Sequence, residues 1–203
     1  FNYIHSTVPD FSGMLRVLTD ELFAGERKGE RVWILGHVLT GWTGAEALDK
    51  PANLFFQIVS RFTPHTIAAI FFGHTHQDHF SVFYRAQSGA SRDITRDART
   101  VSFVGPSVTP LTNVNPSFRV YQVDPITFDV YDYDQYYTPV DEFDSLQAGP
   151  IWRHLYNARD TYGDMRASVQ HHNYHAPVSL NGTAWPRAAP LNASFWAALT
   201  DEM

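Results

Sequence analysis

The sequence predicts an α/β fold on the strength of two observations. Two strand-length apolar runs, Val32–Leu35 and Ile67–Phe72, each follow a stretch with helical spacing, and each runs into the same dipeptide, Gly-His. Continuous apolar runs of this length are typical of strands covered on both faces, as in a parallel sheet. From residue 80 onward the pattern changes to short segments separated by turn residues, which reads as antiparallel strand.

Taken in order, residues 1–10 read as a loop. Met14, Leu18 and Leu22 then stand at i, i+4 and i+8 with Leu15 beside them, and Asp10 or Ser12 is placed to cap. A helix is predicted there, stopping near Gly25. The first buried strand, Val32–Leu35, ends in Gly36-His37. Residues 40–53, rich in Gly, Thr and Pro, read as loop, and 54–62 suit a second helix stopped by Pro64. The second buried strand, 66–72, ends in Gly73-His74. Short strands are predicted at 80–84, 100–104, 118–123 and 127–133, and helices at 151–162 and 191–203, the last capped by Asn192. This divides the chain into a domain at 1–137 and a helical and loop extension at 138–203.

Composition narrows the function classes. The chain has 203 residues, 44% hydrophobic and 18% charged, which is globular rather than disordered. A net charge of −6 argues against binding nucleic acid through a basic face. The longest apolar run is too short for the roughly 18 residues of a membrane helix. Zero cysteines exclude disulfides, a cysteine nucleophile and thiolate metal sites, so any metal here must be held by His, Asp, Glu or Asn. There is no Gly-x-Ser-x-Gly elbow and no phosphate-binding glycine loop.

Ten histidines make imidazole the group to follow. Ligands of α/β sheets sit beyond the carboxyl ends of the strands. Two neighbouring strands ending in Gly36-His37 and Gly73-His74 would therefore point two imidazoles into one crevice, the glycines allowing close approach. His74-Thr75-His76 adds a third imidazole, and Asp78 and His79 follow at once. His5, His65 and His154, and the cluster His171, His172 and His175, read as surface or packing residues. The run 131–137, in which Tyr and Asp alternate before Tyr136-Tyr137, reads as a half-exposed strand. Asn181 and Asn192 begin N-glycosylation tripeptides.

His74-x-His76-x-Asp78-His79 matches the first metal motif of the metallo-β-lactamase family, a reading that makes His79 a ligand and leaves Gly36-His37 unexplained. A second resemblance uses more of the chain. Val32-Trp33-Ile34-Leu35-Gly36-His37, then Phe71-Phe72-Gly73-His74-Thr75-His76-Gln77-Asp78-His79-Phe80, then Val104-Gly105-Pro106-Ser107-Val108-Thr109-Pro110-Leu111-Thr112-Asn113 and Phe118-Arg119-Val120-Tyr121 occur in that order. This closely resembles the C-terminal part of the acid sphingomyelinase-like phosphodiesterases of the calcineurin-like metallophosphoesterase superfamily.

The resemblance implies a β-sandwich flanked by helices carrying two zinc ions, with His37 and His74 on one ion and His76 on the other. Asp78 is a candidate to orient one of these imidazoles. The implied reaction is attack of a metal-bound hydroxide on phosphorus, hydrolysing sphingomyelin to ceramide and phosphocholine, or another phosphodiester. The implied substrate is a phosphodiester, sphingomyelin or another lipid at a membrane surface, and the implied setting is secreted, extracellular or lysosome-like. The Asp-x-His, Gly-Asp-x-x-Asp and Gly-Asn-His-Glu blocks of the superfamily do not occur here. The expectation is therefore a fragment that carries half of the metal site, lacks the N-terminal half of its domain, contains no identifiable catalytic acid and is inactive alone. The alternative from another class is a non-catalytic or split-chain binding module.

Overall fold

The computed structural model describes residues 8–40, 49–85, 94–145, 149–164 and 184–202. His5, the cluster at His171, His172 and His175, and Asn181 lie outside these residues. The elements are α1 (Met14–Lys28), β1 (Val32–Leu35), α2 (Asp49–Phe62), β2 (Ile67–Phe72), β3 (His79–Tyr84), α3 (Ile94–Asp97), β4 (Ala98–Val104), β5 (Ser117–Val123), β6 (Val130–Tyr137), a 3-10 turn (Val140–Ser145), β7 (Arg153–Asn157), α4 (Ala158–Tyr162) and α5 (Ala193–Glu202).

The fold is mixed α/β. A four-stranded sheet runs β1-β2-β4-β3, and a three-stranded antiparallel sheet runs β5-β6-β7. β1, β2 and β4 are parallel, and β3 returns antiparallel along the β4 edge. Ile34, Ile70, Phe72 and Val104 belong to one core with Leu15 and Leu22 of α1 and Phe55, Val59 and Phe62 of α2. Ala69, Val101 and Phe103 belong to a second core with Val130 and Tyr133 of the small sheet and Phe195, Trp196 and Leu199 of α5. Helices thus cover one face of the larger sheet, while the small sheet and α5 share the other.

α1 is anchored by Asp10, whose carboxylate accepts the N–H groups of Leu15 and Arg16 at 3.1 and 2.9 Å. It runs a turn past the predicted stop at Gly25. That glycine is there for packing, since a Cβ would stand 3.2 Å from Val32 Cγ2. The helix ends at Gly29, left-handed with φ 70°, where the Gly29 and Glu30 N–H groups close onto the carbonyls of Glu26 and Gly25.

Three other boundaries differ from the sequence reading. α2 begins at Asp49 inside the predicted loop, with Asp49 and Pro51 in its first turn, both favourable at a helix start. β6 begins at Val130 because Asp124 Oδ1 accepts the N–H groups of Ile126 and Thr127 at 2.8 and 2.7 Å and holds the preceding residues in a turn.

Residues 153–157 form strand β7 on β6 rather than the predicted helix, and helix begins only after Asn157, whose side chain caps α4 by accepting the Asp160 N–H at 3.0 Å. The stretch beyond residue 137 therefore contributes a strand to the small sheet. It also contributes α5, capped as predicted by Asn192 Oδ1 accepting the Phe195 N–H at 3.2 Å.

Candidate metal centre

The ladder that pairs β1, β2 and β4 continues beyond the strand ends. Gly36 N–H donates to Phe71 O at 2.9 Å, Gly73 N–H to His37 O at 3.0 Å, and Gly105 N–H to Phe72 O at 2.9 Å. These bonds place Gly36-His37, Gly73-His74 and Gly105-Pro106 side by side at the carboxyl ends of three parallel strands. Gly36 is dictated by its neighbour, because a Cβ there would lie 2.6 Å from the Phe72 ring. The His37 and His74 rings meet edge to face, with centroids 5.3 Å apart. The convergence that the repeated dipeptide predicts is therefore present.

His76 lies on the same loop but turns aside, its Nδ1 lying 3.2 Å from Leu111 O in the loop after β4. His79, the first residue of β3, has its Nε2 2.9 Å from Thr75 Oγ1. His65 is exposed, and His154 pairs with Asp134 at 2.9 Å on the small sheet.

The backbone here is strained. His74 and His76 have φ of 76° and 62°, and Thr112 and Asn113 in the neighbouring loop have 73° and 60°. Left-handed backbone costs a non-glycine residue about 1 kcal/mol or more and concentrates at functional sites.

The contacts of Asp78 run to Arg119 and Tyr156, both on the small sheet. The Arg119 side chain is 2% exposed. Its Nε donates to Gln135 Oε1 at 3.1 Å, one terminal nitrogen donates to Tyr121 Oη at 3.0 Å, and its guanidinium carbon lies 4.1 Å from the Tyr133 ring centroid. Burial works against the Arg119 charge, but the oxygens of Tyr121 and Tyr133 and the Asp78 carboxylate outweigh it and hold the pKa above its ordinary value. Burial pushes the phenols of Tyr121, Tyr133, Tyr156 and Tyr162 upward. The network is thus a cation among neutral phenols, matched by the Asp78 carboxylate.

Sequence reasoning missed this network. A signal was available, since strand alternation puts Arg119 and Tyr121 on one face, and a lone arginine on the inward face of a strand needs a partner.

Neutral imidazole suits zinc, and an adjacent pair at a strand-end crevice is a sound beginning for a zinc site. Among the described residues, however, no group of three or more His, Asp or Glu side chains could hold a metal ion. Of the three or four protein ligands a zinc site takes, the described residues bring together two imidazoles, His37 and His74.

No protein-family model matches the chain. Sphingomyelin phosphodiesterase 1 of Caenorhabditis elegans is 35% identical over 164 residues, 80% of this chain and 27% of the worm protein. Proteins named sphingomyelin phosphodiesterase from Bos taurus and Homo sapiens are each 38% identical over 164 residues, 79% of this chain and 24% of theirs. The chain is a homologue of the sphingomyelin phosphodiesterases. It spans about a quarter of the length of these curated relatives.

Proposed function

We propose that this chain is the C-terminal part of a secreted, zinc-dependent sphingomyelin phosphodiesterase, with a calcineurin-like sandwich completed by an N-terminal part of the parent. The parent adds water across the phosphodiester of sphingomyelin, releasing ceramide and phosphocholine. The observation that carries this reading is the His37 and His74 pair, 5.3 Å between ring centroids at the carboxyl ends of parallel strands, in a homologue of enzymes named for that reaction.

His37 and His74 would hold one zinc and His76, on the same loop, would contribute to a second. Zinc bound there would polarise the phosphoryl oxygens and stabilise the charge that gathers on them during displacement. The chain itself supplies a rigid strand-end platform for the imidazoles. The remaining metal-binding groups, a carboxylate included, come from the parent's other part, so the chain alone has no turnover.

Secretion agrees with the glycosylation tripeptide at Asn192, which is exposed. Its Oδ1 caps α5, while a glycan would be carried by the other amide atom, so capping and modification are compatible.

The test is metal removal from the full-length parent, assayed by phosphocholine release from sphingomyelin in detergent micelles. Exhaustive chelation is expected to abolish release and zinc to restore it. Release that survives chelation would refute zinc dependence, and no release in the presence of zinc would favour a non-catalytic binding module. Cleavage of a soluble nucleotide diester in place of sphingomyelin would reassign the substrate.

A further inference from the structure

We propose that Arg119 and Tyr156 position the histidine loop, acting through Asp78. This deepens the zinc reading and rests on it. The loop from Gly73 to Asp78 holds His74 and His76 in left-handed backbone that neither favours, so the contacts around it, those at its two ends among them, must hold the conformation. At the N-terminal end it is fixed by the Gly73 N–H bond to His37 O at 3.0 Å. At the other end Asp78 receives Arg119 and the Tyr156 hydroxyl, one donor to each carboxylate oxygen.

Neither donor is free to wander. Arg119 is clamped by Gln135 Oε1, Tyr121 Oη and the Tyr133 ring, and the Tyr156 hydroxyl also lies 3.4 Å from that of Tyr133. These partners all sit on β5, β6 and β7, so the small sheet grips a loop that leaves the larger one. Arg119 stands opposite Gln135, and Tyr121 opposite Tyr133, in the β5–β6 register. The grip is therefore set by strand pairing rather than by side-chain chance. It does the work of an outer-shell partner, orienting a ligand-bearing segment without touching the ligand rings.

The test uses the full-length parent carrying Tyr156→Phe, which removes one hydroxyl, and Asp78→Asn, which keeps shape and removes charge. Zinc affinity by chelator competition is expected to weaken by about 10- to 100-fold in each, the range found for outer-shell partners. KM for sphingomyelin should stay within about twofold, and excess zinc should restore kcat, which a loss of global folding would not allow. Wild-type zinc affinity in folded Tyr156→Phe protein would overturn the proposal, and that variant decides alone if Asp78→Asn fails to fold. His74→Ala run alongside separates the levels. If it loses zinc while Tyr156→Phe does not, only the positioning role fails; if it keeps full zinc, the underlying metal reading fails and the proposal with it.

Discussion

Replacing Trp196 with alanine is expected to destabilise the fold by about 3–5 kcal/mol, the range for deleting a large aromatic from a core. Trp196 is fully buried. Phe80, Phe195, Phe103 and Tyr133 surround its ring at centroid distances of 4.4, 5.0, 5.9 and 6.1 Å, the last nearly parallel at 12°. Its indole N–H also donates to Leu191 O at 2.9 Å, so truncation leaves a cavity and takes a donor from that carbonyl. Because the ring touches strands of both sheets, the loss loosens the contact between them. At about 2–4 °C per kcal/mol for a domain of this size, the unfolding midpoint should fall by roughly 6–20 °C. A fall of under about 2 °C would mean that α5 does not join the two sheets as described.

Replacing His74 with alanine in the full-length parent is expected to remove bound zinc and to lower turnover of sphingomyelin by about a thousandfold or more. The electrostatic stabilisation lost with a metal is worth several kcal/mol, and about 1.4 kcal/mol is a factor of ten. Stability should change little, because His74 is partly exposed and packs in neither core. Alanine keeps the Cβ that makes left-handed backbone unfavourable, so the substitution leaves the strain at this position in place. Normal zinc content and normal turnover in this variant would remove His74 from the site.

The part of the site legible in the sequence was the part written in local pattern. A buried apolar run ending in Gly-His, twice, predicted two neighbouring parallel strands and two adjacent imidazoles, and both are present. What escaped depends on contacts distant in sequence. Gly25 looks like a terminator in one dimension and proves to be a helix residue packed on Val32. Residues 153–157 carry no strong strand pattern and become β7 because β6 offers an unpaired edge. The partners of Asp78 lie 41 and 78 residues away in the chain, on another sheet. No spacing rule reaches that far, although the inward arginine on β5 was the clue.

In the proposed function the Gly36-His37 and Gly73-His74 pair, and not the His74-to-His79 motif alone, holds the metal. That assignment is tested most directly by counting zinc ions per molecule in the full-length parent with His37→Ala and, separately, His79→Ala. His37→Ala is expected to lose zinc, while His79→Ala, whose imidazole lies against Thr75, is expected to retain the wild-type content. Full zinc in His37→Ala together with loss in His79→Ala would contradict that assignment and return the chain to the metallo-β-lactamase-like reading.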